Sequence, residues 1–149
     1  MNEAQTITDV ESVVATAQSI ADASNYSRTA PIHLLAGLTR HCKSVFAHSQ
    51  IDLDKLYGMI SSQSVHAHSQ TPNDVLPDMS PEATAVLNHA ISRGWSRYLD
   101  YYTPEDLLIA LLRLDNGAIA TCLRFAGCAD VSKFFSTLTG DAPKMLLEL

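Results

Sequence analysis

With 149 residues, 46% apolar and 17% charged, the chain can bury a single core and is too apolar to be disordered. A net charge of −6 with scattered Lys and Arg leaves no basic stripe, which argues against nucleic acid as a partner. No apolar run approaches the ~20 residues that span a bilayer, and MNEAQTITDVES lacks the basic and apolar regions of a secretory signal, so a cytoplasmic protein with no membrane partner is expected.

From the N-terminus, Thr8 with Glu11 matches a capping box, and Val10, Val13, Val14, Ala17 and Ala21 recur at helical spacing. Pro31 stands where a first helical residue is tolerated, ahead of Leu34, Leu35 and Leu38 on one apolar face. A short helix is expected around Lys43–His48. Asp52 can cap another that turns Leu53, Leu56, Tyr57 and Ile60 inward. Residues 64–79, SVHAHSQTPNDVLPDM, carry no periodicity and read as a connector. Ser80-Pro81-Glu82 then supplies an N-cap, a proline at the first helical position and an acid in the first turn. Val86, Leu87, Ala90 and Ile91 follow. Thr103-Pro104-Glu105-Asp106 opens the next helix, whose Leu107, Leu108, Leu111 and Leu112 must face a core. Gly117 breaks it, 118–126 form another helix, and Gly127 suits a left-handed C-cap. Asp130 caps a last helix carrying Val131, Phe134, Phe135 and Leu138. No segment alternates with period two, so strands are not expected.

The two halves are copies. An offset of 73 residues carries Ala30-Pro31-Ile32-His33-Leu34-Leu35 onto Thr103-Pro104-Glu105-Asp106-Leu107-Leu108, Val13-Val14 onto Val86-Leu87, and Ala17 onto Ala90. The expected fold is therefore all-α, with about eight short helices in two pseudo-symmetric four-helix repeats forming one domain over 1–149. Repeat one spans about 7–63, the connector 64–79, repeat two about 80–138 and a tail 139–149. Each half must bury its leucine face against the other.

Side-chain chemistry is sparse. The phosphate-binding loop GxxxxGK[ST] is missing, as are HExxH, GxSxG and GxGxxG, so no catalysis, cofactor or ATP binding is expected. His66 and His68 in the connector, or His41 and Cys42 with His48, offer metal-type ligands, but spacing places no third one, and the competing reading is solvated loop. No metal is expected. A small helical metal- or ligand-binding protein using the His-rich connector is the alternative function. His33 and His89 fall within helices and read as surface or packing residues. Cys42, Cys122 and Cys128 form neither an even set nor a CxxC pair and read as reduced thiols, Cys122 as a buried one. Trp95, Tyr98, Tyr101 and Tyr102 either stack on a ligand or pack between helices. Two helix starts occupy matching places in the repeat. Ser80 offers backbone N–H groups and a hydroxyl to an anion, and Glu105 offers a carboxylate to a guanidinium. Both can equally be ordinary helix ends.

The run Pro104-Glu105-Asp106-Leu107-Leu108-Ile109-Ala110-Leu111-Leu112, a Gly-containing turn, an Ala-rich helix and Leu123…Gly127 resemble the Clp N-terminal domain. That domain precedes the ATPase rings of Clp unfoldases and duplicates a helical repeat around a Glu-His-Leu-Leu motif. The resemblance runs from about Ile7 to Leu138. It implies a non-catalytic protein-interaction module that docks substrates or adaptors for a Clp-type unfoldase or protease, either as an excised domain or as a free-standing protein. The partners it implies are a Clp-family ATPase, its adaptors or client proteins. It also implies phosphoarginine recognition through a Thr and the motif's Glu. Ser80 stands at the place of the Thr and Glu105 at that of the Glu in repeat two. Repeat one has Ile7 and Ile32 there, with Thr8 out of register. Glu82 is a further departure, an acid where an Arg is common.

Overall fold

The computed structural model describes residues 3–24, 26–46, 50–61 and 78–139. These form α1 (Glu3–Ala23), α2 (Pro31–His41), a 3-10 turn (Lys43–Phe46), α3 (Leu53–Ser61), α4 (Pro81–Ser96), α5 (Pro104–Arg113), α6 (Ala118–Phe125) and α7 (Val131–Thr139). Among the described residues, the only extended pairing is an isolated bridge between Thr29 and Met79. The fold is all-α. The expected helix at Lys43–His48 is a 3-10 turn as far as Phe46, and His48 lies outside the described residues.

Most helix ends follow the expected chemistry. Ser80 Oγ accepts from the Ala83 N–H at 3.0 Å, Asp52 from Lys55 at 3.0 Å and Asp130 from Lys133 at 3.0 Å. Gly127 takes a φ of 118° beyond α6; its N–H donates to the Arg124 carbonyl and the Cys128 N–H to that of Leu123, a Schellman cap.

Two ends differ. Thr8 does not cap α1, because the helix has already begun at Glu3. From inside it, the Thr8 hydroxyl donates to the Ala4 carbonyl at 2.9 Å. Gly117 ends nothing; it is the N-cap of α6, and the nearby Asp115 carboxylate accepts from the N–H groups of Ile119 (2.8 Å) and Ala120 (2.9 Å).

The core is built on the paired leucine helices. Leu34, Leu35 and Leu38 of α2 and Leu107, Leu108 and Leu111 of α5 are buried, and α2 packs directly on α5. α1 lies along α2, α4 lies along α5, and α2 also touches α4 and α6. Val13, Ala17, Val86 and Ala90 are the small or branched residues that α1 and α4 turn inward. The two helix pairs thus share one apolar interior.

Candidate docking grooves between the repeats

Two cavities are lined by residues from both repeats. Thr29, just before α2, donates to the Asp78 carbonyl at 2.7 Å and accepts from the Ser80 N–H at 2.9 Å, which fastens the start of α4 to the start of α2. Beside this junction is a cavity of about 320 Å³ that includes Ile32, Glu82, Val86 and Leu114. On the opposite pairing, α1 faces the segment leading into α5. Ile7, Val10 and Val14 of α1, Ile91 and Trp95 of α4, and Tyr101 and Tyr102 line a larger groove of about 550 Å³.

Local sequence explains the larger groove. A Cβ at Gly94 would stand 2.2 Å from the Tyr101 carbonyl oxygen, so only glycine lets the 101–102 backbone lie against α4. Burial, and next the nearby Glu11 carboxylate, push the Tyr102 phenol above its ordinary pKa. The apolar wall carries two acids, Glu11 and Asp100, and no Lys or Arg.

Ser80 is 8% exposed, and its hydroxyl oxygen accepts the Ala83 N–H. Glu105 is exposed in the first turn of α5. Neither residue lines either groove, so the structure sets Ser80 beside repeat one's Thr29 and Glu105 just beyond the Tyr101–Tyr102 wall. Asp106, next to Glu105, is buried and ionised. Burial alone would raise its pKa, but hydrogen bonds from Arg97 and from Thr103 outweigh it and hold the carboxyl below the usual range. Arg97 binds it through two contacts, at 2.7 and 2.5 Å, and Arg93 through one at 3.1 Å.

Among the described residues, the remaining candidates do not assemble into a reactive site. Cys42, Cys122 and Cys128 are free and buried; burial pushes the Cys42 thiol up to about 12 and raises the other two, which disfavours a thiolate nucleophile. The exposed His41 ring is hydrogen-bonded to the Thr16 hydroxyl at 2.6 Å. His66 and His68 lie outside the described residues, and among the described residues no three potential ligands cluster. His33 is not at the surface but fully buried, its Nδ1 accepting the Ala30 N–H at 2.8 Å. The aromatic cluster does not pack between helices as a unit. Trp95 is 64% and Tyr98 99% exposed.

The fold and its pairing of helix starts agree with a family match. The model of the Clp repeat (R) N-terminal domain matches residues 7–126. The chain belongs to the Clp N-terminal domain family. Its solved relatives in fold include the Hsp104 N-terminal domain from Candida albicans, at 22% identity and a TM-score of 0.65, covering 86% of this chain and 84% of that one. The N-terminal domain of the caseinolytic protease-associated chaperone ClpD from Arabidopsis thaliana has 20% identity and a TM-score of 0.67, with 93% and 92% covered. A protein of a malarial protein secretion system has 17% identity and a TM-score of 0.69, with 93% and 95% covered. No curated protein matches by sequence. Clp N-terminal domains are non-catalytic interaction modules of Clp ATPases, and no described helix here is long and apolar enough to cross a membrane. In this Clp N-terminal domain, spacing within one repeat pointed to Ser80 and Glu105. The aromatic cluster of Trp95, Tyr101 and Tyr102 was legible as a possible ligand surface, but its union with Ile7, Val10 and Val14 of α1 lay hidden because it forms only when the repeats pack.

Proposed function

We propose that this Clp N-terminal domain docks client or adaptor polypeptides for a Clp-type unfoldase, and that the α1–α4 groove is where they bind. The observation that carries this is an open apolar channel of about 550 Å³ with Trp95, Tyr101 and Tyr102 on its wall. Aromatic side chains provide large contact area at low entropic cost. A phosphoarginine side chain is the finer ligand for repeat two. At the Ser80 end of α4 the N–H groups of Ser80, Ala83 and Thr84 are bonded within the chain and Pro81 has none, which leaves the Glu82 N–H and the Ser80 hydroxyl proton for the phosphate, while the exposed Glu105 offers a carboxylate to the guanidinium. Glu82, in the first turn of α4, opposes the phosphate, so affinity is low.

The test is capture from native lysate by the full chain and by Val14→Lys, which puts a charge into the groove wall, with bound proteins identified by mass spectrometry. The variant loses the Clp ATPase, adaptor or client by about tenfold or more. Equal capture by both proteins overturns the docking reading. In parallel, phosphoarginine titrated into isotope-labelled protein shifts amides near Ser80 and Glu105. Shifts at Ile7 and Ile32 instead, or none at millimolar ligand, remove that ligand.

A further inference from the structure

Tyr98 holds a backbone conformation that weakens the fold without adding to its core. Its φ is 62°, making it the one non-glycine residue in the left-handed region among those described, and its side chain is 99% exposed. It closes α4 as the left-handed residue of a Schellman cap. The Tyr98 N–H donates to the Trp95 carbonyl and the Leu99 N–H to that of Gly94, both at 2.9 Å. The same cap at α6 uses Gly127, the residue that fits there without strain. At the end of α4 an exposed phenol stands instead, in the short stretch between Trp95 and Asp100, which both line the larger groove.

Charge gives a second, independent indication. α1 carries Glu3, Asp9, Glu11 and Asp22 and no Lys or Arg. Glu11 and Asp100 sit on the groove wall with no cation among them. Arg93 and Arg97, the cations of the neighbouring α4 end, are both committed to the Asp106 carboxylate.

From these we infer that the groove accepts one kind of segment: an apolar stretch flanked by Lys or Arg, with Tyr98, which lies in sequence between the lining residues Trp95 and Asp100, as an aromatic anchor. Glu11 and Asp100 pair with the flanking cations, and Trp95 and Tyr98 offer ring faces to them. The inference rests on the docking reading above and specifies its ligand.

Trp95 is the only tryptophan in the chain and is 64% exposed, so its fluorescence reports occupancy directly. The probes are two short peptides with the same Leu- and Phe-rich centre, one flanked by Lys and Arg and the other by Glu, titrated into the full chain. The basic peptide gives a saturable blue shift and binds at least about tenfold tighter, a margin that shrinks as salt rises. Tyr98→Gly raises the thermal midpoint yet weakens the basic peptide by about fivefold or more, whereas Tyr98→Phe retains binding. Equal affinity for the two peptides overturns the charge assignment. A Tyr98→Gly chain that binds as well as the native one overturns the anchor. If neither peptide moves the Trp95 emission while Val14→Lys still abolishes capture, this inference falls and the docking reading stands. If capture is also unaffected, both fall.

Discussion

The third position of the two equivalent helices, α2 and α5, carries His33 in one copy and Asp106 in the other. Each turns back to accept the N–H of its N-cap residue, Ala30 to His33 Nδ1 at 2.8 Å and Thr103 to Asp106 Oδ2 at 2.9 Å. The solutions differ in charge. Asp106 stays ionised because two arginines reach it, whereas His33 is buried with the Tyr26 ring edge-on at 4.6 Å and, among the described residues, takes part in no ion pair. Burial lowers the His33 pKa from 6.5 to about 4. The unfolded chain therefore binds a proton below pH 6.5 that the folded chain refuses until about pH 4. Stability is fully present above pH 6.5 and falls as pH drops towards 4, by on the order of 3 kcal/mol. Urea unfolding at stepped pH measures this slope, and His33→Asn, which keeps an acceptor but cannot titrate, should flatten it. An unchanged slope in the variant would assign the acid sensitivity to other groups.

One substitution type tests how closely the helices approach. Alanine in place of glycine inside a helix is worth ~1 kcal/mol in propensity, so wherever space is free the change stabilises. Gly58 in α3 is exposed, and a Cβ there meets nothing within 4 Å. Gly58→Ala should therefore stabilise by about 0.5–1 kcal/mol. Gly37 in α2 is different, because its Cβ would stand 2.5 Å from the Val13 carbonyl oxygen of α1. That obstacle is backbone and cannot swing aside, so α1 must lift from α2. Gly37→Ala should destabilise by about 1–3 kcal/mol despite the better propensity. Thermal or urea midpoints of the two variants should move in opposite directions. A stabilised Gly37→Ala would mean that α1 does not lie so close.

On the scale of the whole molecule, both repeats draw on the same interior, since α2 and α5 pack together and each also contacts the other repeat's helices. Such a core should melt as a unit. Leu108→Ala, at a fully buried position, should cost ~2–5 kcal/mol and should lower the stability of both halves alike. Trp95 fluorescence reports on repeat two, and far-ultraviolet circular dichroism reports on all helices. The two unfolding curves should coincide in the native protein and in the variant. Two separated transitions, or a loss below about half a kcal/mol, would contradict a shared core.

Helical spacing, proline at first positions and the capping residues Ser80, Asp52 and Asp130 determined most helices and the inward leucines, because these are local matters of backbone hydrogen bonding and amphipathic burial. The 73-residue offset likewise carried the start of α2 onto that of α5, and it is visible without coordinates. Local signals were outweighed where a tertiary or flanking partner was stronger. Thr8 became helix interior once Glu3–Ile7 extended α1, and Asp115 capped α6 across a gap of several residues. The aromatic side of the groove proposed for docking was visible in sequence as Trp95, Tyr101 and Tyr102, but the groove itself belongs to the tertiary level. Ile7, Ile91 and Tyr102 are far apart in sequence and carry no motif. They become neighbours because each repeat must cover its leucine face with the other, and that packing sets the first helix of one copy against the entry to the second helix of the other.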